Sequence, residues 1–249
     1  MPKRIAWITG ASSGVGEALA IDLADHGWHV AISARRAEAL AKVARQRPEA
    51  ISSYPLDVTD AAACARVARE IASTLGPIDL AVLNAGIGAS FDICHFDAED
   101  VNRRMAVNYG GTVNGIGAVL PAMQARGTGR IAMTASVAGY RGLPGAAPYA
   151  ASKAAMISLA ESLHLDLAGS GVAVSVICPG YVTTPLTAGN RQPMPFVISA
   201  QAAARRIREG LDAGRFEIAF PRRLAWLLKA FQRLPYAAYF PIIRRVTGG

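Results

Sequence analysis

Very little in this chain can form a covalent or metal crosslink. Its 249 residues include three cysteines and four histidines. Cys64, Cys94 and Cys178 are scattered and odd in number, which excludes a disulfide framework. Neither they nor His26, His29, His95 and His164 have zinc-site spacing, so no metal is expected. Charged residues are sparse at 18%, and no apolar run is long enough to span a bilayer. There is no basic-then-apolar leader with a cleavage site, no linker-like or low-complexity stretch and no internal repeat. A reducing, cytoplasmic setting is the expectation. Acidic residues are outnumbered, giving a net charge of +8. That balance raises nucleic acid, an anionic membrane or an anionic ligand as partners. No nucleic-acid-binding motif accompanies it, and much of the charge sits near the C-terminus, so no nucleic-acid partner is expected.

Hydrophobic residues are plentiful at 52%, enough for the core of one large α/β domain. Segments suited to buried strands are Arg4–Thr9, His29–Ala34, Ile51–Leu56, Leu80–Leu83, Gly129–Thr134, Val172–Cys178 and Phe216–Ala219. Helical patterns at Gly14–His26, Ala37–Arg45, Ala61–Leu75 and Tyr149–Ala168 fall between them. The alternation predicts βαβ units: a Rossmann-type, doubly wound parallel sheet flanked by helices. Residues 1–220 are expected to form this unit, with 221–249 a helical extension of the same domain. Ligands of such sheets bind on the loops after the strands' carboxyl ends.

The loop after the first strand reads Thr9-Gly10-Ala11-Ser12-Ser13-Gly14-Val15-Gly16 and opens a helix. Glycines allow the tight turn and close approach to a pyrophosphate, and a helix N-terminus offers free N–H groups to it. No lysine follows the last glycine, which disfavours a triphosphate P-loop. At the end of the second strand stands Ser33-Ala34-Arg35-Arg36, where an NAD-binding site would carry a carboxylate for the ribose hydroxyls. Arg35 is read as a ligand of a 2′-phosphate, and Arg36 either as a second ligand or as a solvated helix start. NADP(H) is therefore preferred as cofactor, with NAD(H) the alternative. Asp57-Val58 and Asn84-Ala85-Gly86 follow the third and fourth strands, although alone they read as a helix cap and a turn.

Ser136 follows the fifth strand, Tyr149 lies thirteen positions on, and Lys153 is at i+4 from it. That spacing puts phenol and ammonium on one helix face. A cation there is expected to lower the tyrosine pKa, fitting it for acid/base work on a carbonyl or alcohol oxygen that Ser136 holds.

These motifs, together with Asn108 and Pro179-Gly180, resemble the short-chain dehydrogenase/reductase family in its compact form of about 250 residues. The resemblance runs from Lys3 to Phe220. It implies Asn108, Ser136, Tyr149 and Lys153 as the catalytic residues, Lys153 also bonding the nicotinamide ribose and Asn108 supporting a proton relay. It also places Gly10, Ser12, Ser13, Gly14, Val15 and Gly16 at the pyrophosphate, and Asp57 and Val58 beside the adenine. Asn84, Ala85 and Gly86 would lie near the adenine-side ribose, and Pro179, Gly180, Val182 and Thr184 near the nicotinamide. A small carbonyl or alcohol substrate and a homodimer or homotetramer are implied as well. Leu83 and Ala135 depart from the family pattern, and neither removes a group the chemistry needs.

Tyr181 to Ser199 is expected to be a mobile, mainly apolar loop over the substrate, with Leu186, Met194 and Phe196 facing Arg141, Leu143 and Pro144. Arg141 or Arg191 could bind an anionic substrate, although surface arginine is the simpler reading of both. Residues 221–235 read as a basic amphipathic helix ended by Pro235, after which Tyr236, Tyr239 and Phe240 continue the apolar theme. This tail is expected to pack on its own domain or a neighbour, with peripheral contact to an anionic membrane and cover for the substrate cleft as alternatives. Competing functions are an NAD-dependent alcohol dehydrogenase of the same family and a non-catalytic NADP-sensing regulator; the sensor would not need Ser136, Tyr149 and Lys153.

Overall fold

Side chains alternate across a strand, so a strand buried on both faces must supply two cores at once. The first strand does so: Ile5 and Trp7 enter one cluster, Ala6 and Ile8 the other. In the computed structural model, which describes residues 3–88, 91–188 and 194–247, seven parallel strands separate these two cores. They are β1 (Arg4–Thr9), β2 (Trp28–Ser33), β3 (Ile51–Ser53), β4 (Ile78–Leu83), β5 (Gly129–Thr134), β6 (Val172–Pro179) and β9 (Glu217–Phe220). Their order is β3-β2-β1-β4-β5-β6-β9. The crossovers therefore run outward in both directions from β1, and the switch point lies between β1 and β4. This is the doubly wound Rossmann-type arrangement that the alternation predicts.

On one face α1 (Gly14–Asp25), α2 (Ala37–Ala44) and α7 (Ala200–Asp212) bury residues such as Leu19, Leu23, Leu40, Val43 and Ile207. On the other α3 (Ala61–Thr74), α5 (Gly111–Arg126) and α6 (Ala147–Asp166) bury Ile71, Val119, Met123 and Met156. Burial of each such side chain contributes about 1.5–3 kcal/mol, so both layers are needed to hold the sheet. A short helix α4 (Ala98–Met105) runs through a π-helical turn, Ala106–Gly110, into α5.

The sequence gives no helix bounds over 98–126 or 200–212, and it draws the third strand three residues too long. Residues 54–56 instead leave the ladder with β2, although Tyr54 and Leu56 still donate backbone bonds to Ile32 and Ala34. The loop after β6 carries β7 (Val182–Thr183), which pairs in parallel with β8 (Ile198–Ser199) and pins the base of the expected substrate loop.

The tail forms α8 (Arg222–Gln232) and α9 (Tyr236–Thr247), with Pro235 between them. Leu224 and Ala225 join the core beside β9, and Tyr239 is buried. Among the described residues no helix is long and apolar enough to cross a membrane.

Candidate active site

The glycine turn after β1 is built for close approach. Gly10 and Gly14 have φ of +68° and +64°, a region that L side chains rarely adopt. A Cβ on Gly10 would lie 2.7 Å from Ala85 Cα, and one on Gly16 would lie 2.5 Å from the Gly10 oxygen. The turn is thus wedged against the end of β4 across the switch point. Thr9 fastens the two: its Oγ1 accepts from the backbone N–H groups of Asn84 (3.0 Å) and Ala85 (3.1 Å). The Asn84 amide nitrogen donates to the carbonyls of Thr9 and Gly10, at 3.2 and 3.3 Å. Ser13 precedes α1 without capping it through its side chain, which leaves the helix's first N–H groups available to an anion.

This turn floors a cleft of about 490 Å³ along the carboxyl ends of the strands. Of the proposed cofactor residues, all but Gly16 line it: Gly10, Ser12, Ser13, Gly14, Val15, Arg35, Asp57, Val58, Asn84, Ala85, Gly86, Tyr149, Lys153, Pro179, Gly180, Val182 and Thr184. Gly16 is instead consumed in packing against Gly10.

Arg35 and Arg36 both face the cleft from the start of α2, and Arg36 reaches Ser12 Oγ at 3.3 Å. Two guanidiniums at a helix N-terminus oppose the helix dipole unless an anion joins them. Asp57 turns its carboxylate to Thr59, accepting from its N–H at 3.0 Å and its hydroxyl at 2.8 Å. Those bonds, with Arg35 nearby, hold it below the usual carboxylate range. The residues fit a phosphorylated dinucleotide: a helix N-terminus and glycine cradle at one point, and paired guanidiniums at another.

Tyr149 and Lys153 line the other end of the cleft, and Ser136, which is not part of that lining, lies against the Tyr149 side chain. Ser136 Oγ accepts from Ala138 N–H (3.1 Å) and donates to the Pro179 carbonyl (3.2 Å), which aims the hydroxyl. Lys153 is buried, donating from Nζ to the Thr134 carbonyl at 2.7 Å, with Nζ 5.5 Å from the Tyr149 ring centre. Gly139 allows the Ser136 turn to lie on α6, since a Cβ there would sit 2.7 Å from the Lys153 carbonyl carbon.

Burial pushes Lys153 down to about 8. It pushes Tyr149 up, against a downward pull from Ser136. The direction is opposite to the lowering that the i+4 lysine predicts: desolvation of the phenol outweighs the Ser136 hydrogen bond, and the lysine's own bond goes to the Thr134 carbonyl. Beneath them burial raises Cys178 to about 12, so it stands as a neutral thiol.

Asn108 does not line the cleft. It is fully buried in the π-helical turn, accepting at Oδ1 from Ile87 N–H (2.8 Å) and donating from Nδ2 to the Ile87 carbonyl (3.3 Å) and Ser152 Oγ (3.1 Å). Ser152 in turn donates to the Tyr149 carbonyl at 2.8 Å. The asparagine therefore ties the loop after β4 to the helix that carries Tyr149 and Lys153.

On the substrate side Pro185, Leu186 and Thr187 line the cleft, while Arg141, Leu143, Pro144, Met194 and Phe196 do not. Arg191 lies outside the described residues. The anionic-substrate reading of Arg141 is overturned. Its guanidinium donates to the carbonyls of Phe231 (2.5 Å), Gln232 (3.2 Å) and Leu234 (2.7 Å) and stacks over Tyr239, 3.9 Å from the ring centre. It caps the end of α8, where a helix leaves its carbonyls unpaired.

Residues missed by sequence reasoning are Leu56, Ile87, Val107, Thr134 and Thr187. Thr187 Oγ1 accepts from Thr184 N–H and donates to the Val182 carbonyl, a local turn visible in Thr184-x-x-Thr187. The apolar three carry no sequence signal beyond neighbouring a motif.

The sequence profile described as short chain dehydrogenase matches residues 4–195. An uncharacterized oxidoreductase of Myxococcus xanthus is 37% identical over 249 residues, covering 99% of this chain and 98% of that protein. A short-chain dehydrogenase/reductase of Burkholderia phymatum in complex with NAD superposes with a TM-score of 0.84 at 27% identity, over 91% of this chain and 92% of that one. A variant of actinorhodin polyketide ketoreductase with NADPH superposes at 0.81 and 26%, over 90% and 97%. With this profile match and the matching fold, the chain belongs to the short-chain dehydrogenase/reductase family and is an NAD(P)-dependent oxidoreductase.

Proposed function

We propose that the protein interconverts a carbonyl and an alcohol with NADP(H), using Tyr149 as the general acid/base. The observation that carries this reading is one cleft with Arg35 and Arg36 at one end and Tyr149 and Lys153 at the other, with Ser136 against the Tyr149 side chain. Gly10, Ser12, Ser13, Gly14 and Val15 would hold the pyrophosphate, and Arg35 the 2′-phosphate. Asp57, Val58, Asn84, Ala85 and Gly86 would border the adenosine, and Pro179, Gly180, Val182 and Thr184 the nicotinamide. When bound, the cofactor supplies or accepts the hydride. The chain's own part is to manage the proton and the oxygen. Tyr149, its pKa raised by burial, keeps its proton at neutral pH and can give it to a carbonyl oxygen. Ser136, its hydroxyl aimed by Ala138 and Pro179, holds that oxygen. The Lys153 ammonium supports the phenolate that remains, and Asn108 keeps α6 in place through Ser152. The NADPH-bound ketoreductase supports the direction of this reading, whereas the NAD-bound neighbour supplies the competing cofactor. Assembly as a homodimer or homotetramer is part of the proposal.

Titration of the purified protein with NADPH and NADH, beside Arg35→Ala, tests the reading. NADPH is expected to bind more tightly, and the variant to lose about 10–100-fold for NADPH alone, the worth of a charge-assisted bond. Equal or tighter binding of NADH would overturn the assignment.

A further inference from the structure

We infer that α8 and α9 form a docking surface for an anionic phospholipid bilayer. Each helix is apolar on two sides, and only one of them is covered. On α8 Leu224 and Ala225 are buried and Leu228 is partly covered, while Trp226, Leu227 and Ala230 face solvent; Trp226 is 69% exposed. On α9 Tyr239 is buried, while Tyr236 and Phe240 stack in the open with ring centres 5.3 Å apart. Apolar surface all round a helix needs cover on all sides.

Charge identifies the cover. Pro221 to Gly249 holds six basic residues and no Asp or Glu, which is six of the chain's eight excess positive charges. Lys229 pairs with Glu217. Among the described residues none of Arg222, Arg223, Arg233, Arg244 or Arg245 pairs with a carboxylate. Arg223 lies on the exposed face of α8, at helical spacing from Trp226, Leu227 and Ala230. Exposed Trp and Tyr rimmed by arginine suit the boundary between acyl chains and anionic headgroups. A second copy suits it poorly, because a two-fold contact would set this acid-free patch against itself.

The patch is also tied to the cleft. α8 starts where β9 ends, Gly180 packs against Leu224 and Pro221, and Arg141 and Gly142 from the loop after Ser136 are bonded to the tail. Docking would therefore set the substrate end of the cleft near the bilayer surface.

The test uses the full chain, because removing the tail would strip Arg141 of its acceptors. Sedimentation is measured with vesicles of equal phosphatidylglycerol and phosphatidylcholine, and with phosphatidylcholine alone. We expect at least tenfold stronger association with the anionic vesicles. Each of Arg222→Gln and Arg223→Gln should weaken it about fivefold, and Trp226→Ser with Phe240→Ser about tenfold or more. Trp7 and Trp28 are buried, so a blue shift of tryptophan emission on adding vesicles reports Trp226. NADPH binding checks that each variant is folded, and neither measurement depends on turnover. Protein left in the supernatant, equal binding to both vesicle types, or full binding by Trp226→Ser/Phe240→Ser would overturn the proposal. So would loss of a solution dimer in that double variant without vesicle binding, which would give the face to a second copy.

Discussion

The two ends of the cleft are held by different means. At the phosphate end the backbone does nearly everything. Glycines leave no room for side chains, Thr9 and Asn84 stitch the turn after β1 to the end of β4, and the helix N-terminus stands open. At the substrate end the backbone alone decides little. The loop after Ser136 is fixed by side-chain contacts with the tail and β9: Arg141 to three carbonyls of the tail, Tyr239 of the tail to Gly142 at 2.6 Å, and Tyr140 to Glu217 of β9 at 2.6 Å, with Lys229 completing the last contact. The first construction tolerates few substitutions and serves a ligand of constant shape. The second can change residue by residue without disturbing the first, as suits a substrate site.

The sharpest way to break the comparison is at the junction between the ends. Tyr149→Phe should lower kcat/KM for carbonyl reduction by about 10²–10⁴-fold while NADPH affinity stays within about twofold. Steady-state kinetics beside a binding titration would show it, and retained turnover would remove the tyrosine from its role.

A smaller effect comes from pH. Lys153 at about 8 is charged below that value and neutral above it, whereas Tyr149 keeps its proton across the neutral range. Reductive kcat/KM should be level from about pH 6 to 7.5 and then fall, at most tenfold per unit, as the ammonium is lost. A profile rising through pH 8 would contradict the assignment.

The mildest effect belongs to the tail. Arg141→Ala removes three hydrogen bonds and a stacked cation, about 1–3 kcal/mol, so a chain of this size should melt about 2–10 °C lower. Substrate KM should rise severalfold and NADPH affinity stay unchanged. A matching loss of NADPH affinity would show that the two ends are coupled after all.

Much of this was legible before any coordinates. Strands buried on both faces announce themselves as apolar runs, and the turn from Thr9 to Gly16 carries its own chemistry. The helix α5 hid because its sequence reads Gly111, Gly115, Gly117 and Pro121, residues that ordinarily break helices. Two of those glycines are there for packing: a Cβ on Gly111 would lie 2.5 Å from Val58 Cγ2, and one on Gly115 2.5 Å from Leu83 Cδ2. Tertiary closeness overrode local propensity. The rise in the pKa of Tyr149 escapes the sequence for a related reason, since i+4 spacing shows that two side chains share a face but not how deeply they are buried. Arg141 likewise looked like any surface arginine, because its acceptors lie some ninety residues away.

The π-helical turn at Ala106–Gly110 carries a cost of its own. Such a turn amounts to one residue more than a regular helix would hold. Each residue turns a helix by roughly 100°, so that extra residue sets the azimuth of everything on either side. It lets Asn108 face Ile87 and Ser152 while Gly111 meets Val58 and Gly115 meets Leu83 of β4. Regular winding would give better backbone bonds and point one of those two sets away from its partner. The irregularity is an indexing device, and the chain keeps a poorer helix in order to keep two registers at once.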